Sequence, residues 1–471
     1  MGTRNSIDME NELSNVREQS RVFPRVMSLM NRVDVPTLFL AHREANGRKA
    51  RGIDGVTKEE YGKNIFDNLE GLVERLKTFK YIPQPVRRVY IPKPNGKQRP
   101  LGIPVYEDKL VQAVMAEILN GVYEPRFVDN SFGFRPNRNA HDVVRFVDEA
   151  IRRGKTNYVL EADIKGFFDN LDHEWLMKFL AHDIADKNFL RYIKRFLKAG
   201  VMVEGKGWLN SERGAPQGGV ISPILANVYL HYVLDLWVTK VVRKHVKGKM
   251  HYCRYADDFL LFFQYEADAK RVMHALQKRL NKFGLEVAEE KTRIIPFSRK
   301  MITKDKFEFL GFMFLFVRSR YGNRRLGIIT SPKKLKAKRA VLKEWLKHRM
   351  HEPIVQTLEK LKLALQGHYN YYGVNGNFIS MDKFRWYAMK TTWRTLCRRS
   401  QKKSLQWDKF IALWDEFIPT PKITKDISYV PVCQLSKGIY LFKQKFHFLM
   451  RLLKAIRRIT DQDSFKGTGL K

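Results

Sequence analysis

The chain has 471 residues, 44% of them hydrophobic, which is enough for a sizeable core divided among two to four domains. Its formal net charge is +38, from 87 Lys and Arg against 49 Asp and Glu, and so large a bias repels itself unless a polyanion is bound. The three cysteines (Cys253, Cys397 and Cys433) form no CxxC pair, which excludes a readable zinc site or disulfide framework and fits a reducing compartment, and no apolar run reaches membrane length.

Residues 1–20 are polar and expected to be mobile. Residues 21–50 read as helical, with Val22, Val26, Met27, Met30 and Leu38 to Leu40 as apolar positions. Gly52-Ile53-Asp54-Gly55-Val56-Thr57 reads as a turn leading into an amphipathic helix over 60–80. The stretch Val86 to Pro104 alternates, is basic and contains prolines, the pattern of an antiparallel hairpin around Asn95-Gly96. Helices are expected over 107–122 and 136–153. A strand over Tyr158–Ile164 is closed by Asp163, and helices follow from His173 to about Ala199. Two strands meet at Arg254-Tyr255-Ala256-Asp257-Asp258-Phe259. A helix over 266–283, strands over 285–330, and basic helices near 332–350, 353–372 and 381–400 come next. Trp407 to Trp414 and 440–459 complete the helical pattern. Residues 321–471 hold 32 Lys and Arg against 10 Asp and Glu, so this third reads as the main nucleic-acid clamp, with binding that falls steeply in salt.

Adjacent carboxylates at a turn, Asp257 and Asp258, repel each other unless something neutralises them, and a divalent metal is the usual agent. Alone, such a pair is as readily a solvated hairpin tip. Asp163 at the end of a separate strand shifts the balance. A carboxylate there plus a pair on a neighbouring hairpin can hold two Mg²⁺ ions, which nucleotidyl transfer uses roughly 3.5–4 Å apart.

The segments Ile91–Pro104, Ser131–Pro136, Ala162–Asp169, Gly214-Ala215-Pro216-Gln217-Gly218-Gly219, Tyr255–Asp258 and Phe309–Phe312 stand in an order that resembles the reverse transcriptases of bacterial group II introns. The turn at 52–56 and Gly367–Tyr372 resemble that family too, and the likeness covers roughly residues 25–420. It implies an α+β, right-hand polymerase with fingers, a palm built on an antiparallel sheet and a helical thumb, plus a basic helical C-terminal region. The expected boundaries are a partly helical N-terminal extension over 1–50, fingers and palm over 51–320, thumb (maturase) over 321–400 and a basic nucleic-acid-binding region over 401–471.

The resemblance also implies roles. Asp163, Asp257 and Asp258, with the carbonyl of Ile164, would ligate two Mg²⁺ ions. Lys93 and Arg99 would grip the triphosphate of the incoming dNTP. Phe168 would exclude a ribose 2′-hydroxyl, Gln217 would sit at the nucleotide, and Lys291 would lie near the pyrophosphate as a possible general acid. Arg135, Leu310, Gly311, Lys333, Lys334, Tyr369, Tyr371, Arg398 and Arg399 would meet template, primer or intron RNA, with Tyr369 and Tyr371 reading equally well as thumb core. The implied function is RNA-directed DNA polymerisation, with splicing of a bound intron RNA as a maturase and retrohoming into a DNA target. The implied setting is a bacterial cytoplasmic ribonucleoprotein, monomeric or homodimeric, without membrane contact. The paired cysteines and histidines of the family's endonuclease are not seen in the last segment, where only Cys433 occurs, so a form without that domain is expected. Three rival readings are an RNA-binding splicing cofactor without polymerase activity, a domesticated relative in host defence or DNA repair, and an RNA-dependent RNA polymerase, the last disfavoured by Phe168.

Overall fold

The computed structural model describes residues 6–427 apart from 93–95, 97, 204, 206, 210–212, 216, 301–304, 319–322, 400–404 and 426, and without the side chains of 6–13. Lys93 and the expected helix at 440–459 lie outside the described residues. In chain order the strands are β1 (Val86–Pro92), β2 (Gln98–Ile103), β3 (Tyr158–Ala162), β4 (Val201–Val203), β5 (Gly207–Leu209), β6 (Met250–Tyr255), β7 (Asp258–Phe263), β8 (Arg293–Pro296), β9 (Phe307–Phe309), β10 (Phe312–Arg318) and β11 (Arg324–Thr330). They form three sheets, ordered β2-β1-β4-β5, β6-β7-β3-β8 and β11-β10-β9.

The second sheet is the palm. Strand side chains alternate between faces, and β7 follows that rule with both faces covered. Phe259, Leu261 and Phe263 enter one core with Val272 and Leu276 of the helix Glu266–Lys282. Leu260 and Phe262 enter a second core with Val143 and Val147 of the helix Ala140–Arg153. A strand buried on both sides reads as a continuous apolar run. Asn139 caps the Ala140–Arg153 helix by accepting from the backbone N–H groups of His141 and Asp142.

Residues 6–22 depart from the expectation of a mobile start. They form the helix Ser6–Val22, docked on the helix Tyr106–Tyr123 through buried Val16 and a 2.5 Å bond from Ser20 Oγ to the Val122 carbonyl. Between 23 and 50 the helical reading holds for Val35–Glu44, where Asp34 and Thr37 form a capping box, and for the short 3-10 turn Met30–Arg32. A longer helical run, from Ser222 to His245, lies where the sequence pattern assigns no element. Its first part, to Asp235, is apolar nearly all round, with Ile224, Leu225, Val228, Tyr229, Val233 and Leu234 buried, so it carries no amphipathic period.

The helices Pro332–His348, Ile354–Tyr372, Phe378–Cys397 and Trp407–Phe417 share the third core. Phe410, Trp414 and Ile418 pack there with Leu358, Leu361 and Phe384, so the thumb core runs past the expected boundary at 400. Among the described residues, no helix is long and apolar enough to cross a membrane.

Candidate active site

β3 ends at Ala162, whose partner on β7 is Phe259, so the next residue, Asp163, stands opposite Asp258. β6 and β7 are joined by the two-residue turn Ala256-Asp257, with Tyr255 paired to Asp258. All three carboxylates thus gather at one edge of the palm sheet. The Asp163 carbonyl accepts from the Ala288 N–H at 2.8 Å, and the Lys165 N–H donates to the Glu286 carbonyl at 2.9 Å. Alternation then turns the Ile164 carbonyl the other way, toward the β7 side.

Burial, then the nearby charges of Asp257 and Asp163, push the Asp258 carboxyl up to about 7. Burial also raises Asp257. Asp163 adds to that rise, while Arg99 and Lys291 oppose it. The Lys291 ammonium, placed by the turn Glu289–Lys291, donates to Asp163 Oδ2 and is itself held above its usual range by that contact. Crowded carboxylates with an all-oxygen donor set fit divalent magnesium, which would relieve their mutual repulsion. As the side chains stand, no three His, Cys, Asp or Glu groups among the described residues converge on one ion position.

A stability prediction follows. The folded Asp258 keeps its proton up to about pH 7, whereas in the unfolded chain it releases it near its ordinary 3.8. The folded state binds more protons between these values, so the metal-free fold loses stability as pH rises from about 4 through 7. Asp258 stays open to solvent on the cleft side, which screens its neighbours, so only about 1 kcal/mol of this is expected to reach stability. Metal-free Asp258→Asn should therefore melt about 2 °C above wild type at pH 8, with a smaller gap at pH 5. Equal melting at pH 8 would contradict it.

The turn itself is strained. Ala256 has φ +56°, at the first central position of a two-residue hairpin, where glycine is the usual choice. Such a conformation costs about 1–2 kcal/mol for an L-residue. Directly beneath it, Arg254 is fully buried and directs every N–H of its guanidinium to an acceptor. Nε and Nη2 reach the two oxygens of Asp235 at 2.8 and 2.6 Å. Nη1 reaches Asn227 Oδ1 at 3.0 Å and the Ala256 carbonyl at 2.9 Å, and Nη2 also reaches Ser131 Oγ at 2.8 Å. Sequence reading missed Arg254, Asp235 and Asn227. The available signal was a lone charge at an inward strand position and another inside an apolar helix, since buried charges require partners.

Arg135 requires a correction. It does not reach toward template phosphate: its guanidinium is buried, paired with Glu124 at 2.8 Å and bonded to the Val128 and Ser131 carbonyls. The segment Ser131–Pro136 instead braces the Ala256-Asp257 turn. The Phe132 N–H donates to the Arg254 carbonyl, and the Arg254 N–H to the Asn130 carbonyl, each at 2.9 Å.

On the fingers side, Arg99 lies exposed on β2, opposite Ile91 of β1. The Gln217 carbonyl accepts from the Gly102 N–H at 2.6 Å, which ties the glutamine loop to β2, and Gln217 Oε1 is buried without a partner among the described residues. Phe168 is half-buried against Phe167, and its carbonyl accepts from the Ala215 N–H at 2.8 Å.

On the thumb side, a cleft of about 450 Å³ is lined by Asp163, Asp258, Lys291, Glu308, Leu310 and Lys333 among others. Leu310 and Gly311 form the β9–β10 turn, both with positive φ. Ser331 caps the first thumb helix, where Lys333 and Lys334 are exposed. Of the two readings open to Tyr369, the structure takes the core one: it is buried in the thumb core and offers no nucleic-acid contact. Tyr371 is half-buried on Phe312 and donates to the Leu310 carbonyl at 2.8 Å, so it straps the thumb to the turn. Arg399 donates to the Glu352 carbonyl at 2.6 Å, which leaves Arg398 as the exposed one of the two.

Residues 91–314 match the family model for reverse transcriptase (RNA-dependent DNA polymerase). The chain is 36% identical over 317 residues to protein YkfC of Escherichia coli, covering 60% of this chain and 80% of that protein. It is 35% identical over 272 residues to the group II intron-encoded protein LtrA of Lactococcus lactis, covering 57% of this chain and 43% of LtrA. It is 28% identical over 339 residues to the putative COX1/OXI3 intron 1 protein of Saccharomyces cerevisiae, covering 62% of this chain and 40% of that one. It thus spans less than half the length of the two intron proteins. The matched stretch contains Asp163, Asp257 and Asp258 together with β2 of the fingers hairpin and the β9–β10 turn, and on that ground the chain belongs to the reverse transcriptase family, alongside the group II intron-encoded proteins.

Proposed function

We propose that the chain is an RNA-directed DNA polymerase that acts by two-metal nucleotidyl transfer. The observation that carries this reading is the register that sets Asp163 against Asp258 with Asp257 beside it, and Arg99 close enough to act on Asp257. Asp163, Asp257, Asp258 and the Ile164 carbonyl would hold two Mg²⁺ ions, whose chemistry is to lower the pKa of the primer 3′-hydroxyl and to neutralise the departing pyrophosphate. Arg99, with Lys93, would clamp the triphosphate and hold it as charge moves to the leaving group. Gln217 would offer its unpartnered oxygen to the nucleotide or the template pair. Lys291, once displaced from Asp163, would stand where a proton is needed by pyrophosphate. Leu310 and Gly311 would support the primer end, with Lys333, Lys334 and Arg398 along the duplex backbone.

The test is primer extension on an RNA template with dNTPs and Mg²⁺, wild type against Asp257→Asn. Full-length cDNA from wild type alone supports the reading; retained extension by the variant overturns the site. Phe168→Ala is expected to raise ribonucleotide incorporation at least about tenfold relative to dNTP, the scale on which pocket shape discriminates. An unchanged dNTP/rNTP ratio removes Phe168 from that role.

The relatives' names (an intron-encoded protein and an intron 1 protein) support a second role, binding of intron RNA as a maturase with retrohoming into DNA. The exposed thumb cations are the surface proposed for that RNA. Splicing of a cognate intron RNA with and without the protein tests this role separately from polymerisation.

A further inference from the structure

We infer that Arg254 is a positioning residue for the metal site: its guanidinium sets the left-handed Ala256 and thereby the aim of Asp257 and Asp258. The inference rests on the two-metal reading above. Two of the five guanidinium N–H groups already satisfy both oxygens of Asp235, which would be enough to neutralise a buried charge. The other three go to the Ala256 carbonyl, to Asn227 and to Ser131. The first belongs to the turn itself, and the other two lead to the Ser131–Gly133 segment packed against it. Asn227 Nδ2 donates to the Gly133 carbonyl at 2.7 Å, and Gly133 lies so close to the turn that a Cβ there would stand 2.3 Å from the Ala256 nitrogen. Ser131 bridges to Arg254 along the strand edge. One side chain thus ties β6, the buried Ser222–Leu230 helix and the Ser131–Gly133 segment to a single backbone carbonyl of the catalytic turn. A planar five-donor fork can do this, and a lysine ammonium with three donors cannot.

The two halves of the fork can be separated. Arg254→Lys keeps a positive charge beside Asp235 but gives up the turn contacts. Asp235→Asn keeps the turn contacts but removes the ion pair. Tb³⁺ luminescence on the substrate-free protein reads the metal site without turnover, and the Mg²⁺ midpoint of primer extension reads it in use. Arg254→Lys is expected to weaken Tb³⁺ binding about tenfold and to raise the Mg²⁺ midpoint similarly, with template–primer affinity unchanged. Asp235→Asn is expected to lower the melting temperature while leaving Tb³⁺ affinity near wild type. Wild-type Tb³⁺ binding by Arg254→Lys, or equal loss in both variants, overturns the inference. If Arg254→Lys melts below assay temperature, Ser131→Ala removes one turn-side acceptor and no charge, and is expected to shift both readings about threefold in the same direction; no shift overturns the inference. Asp257→Asn is the separate control, and full Tb³⁺ binding by that variant would sink the metal-site reading itself.

Discussion

Asp257→Asn or Asp258→Asn is expected to reduce dNTP incorporation on a primed RNA template by about a thousandfold or more. Metal-held charge stabilisation supplies several kcal/mol to such a transition state, and each 1.36 kcal/mol is a factor of ten in rate. The loss should fall on the single-turnover rate and not on template–primer affinity, because removing a negative charge from this cleft does not weaken a polyanion's hold on it. Asp163→Asn should behave alike and should also free Lys291 from its contact. Single-turnover extension with saturating template–primer measures this, and a loss under tenfold in all three variants would falsify the two-metal assignment.

Asp235→Ala carries the largest expected cost to the fold. It leaves the Arg254 charge buried without its counter-ion and the Tyr252 hydroxyl, 2.6 Å from Asp235 Oδ1, without its acceptor. Breaking one side of a fully buried pair costs about 3–5 kcal/mol. A urea midpoint moved down accordingly, at constant slope, is the expected result. Replacing both partners together, by Asp235→Leu with Arg254→Met, should recover much of that stability, since no lone charge remains. Polymerisation should stay impaired in the double variant, because the Ala256 carbonyl has lost its donor. A single variant within 1 kcal/mol of wild type would mean that water or another chain segment already compensates Arg254.

Much of the site was legible in the residues. Asp163 at a strand end and Asp257-Asp258 at a hairpin turn are local patterns, read from alternation and turn chemistry within ten residues. The hairpin β1–β2 and the amphipathic helix Ala140–Arg153 are local in the same sense, because one face repeats at the helical period and Asn139 caps the start. The palm, fingers and thumb were implied only by the resemblance of the ordered motif blocks to the group II intron reverse transcriptases.

What remained closed was the fate of residues whose partners sit on other elements of the fold. Arg135 and Arg254 are the same residue type, each beside a family-like block, and neither side chain is free to meet nucleic acid. Arg135 is taken up by Glu124, just past the end of the Tyr106–Tyr123 helix, and Arg254 on β6 by Asp235 of the long helical run, pairings that only the packing of these elements decides. Tyr369 and Tyr371 lie on one helix two residues apart, and a rotation of about 200° at 3.6 residues per turn sends one into the thumb core and the other to the β9–β10 turn. The Ser222–Asp235 part of the long helical run shows no period because nearly every face is covered, and the Ser6–Val22 helix needs the Tyr106–Tyr123 helix before its few apolar positions matter. By itself the sequence determined which residue types stand at the strand ends and turns, since propensity and alternation are local. Tertiary structure alone decided which cations are buried and which reach the cleft, because a buried charge persists only where distant segments deliver its acceptors.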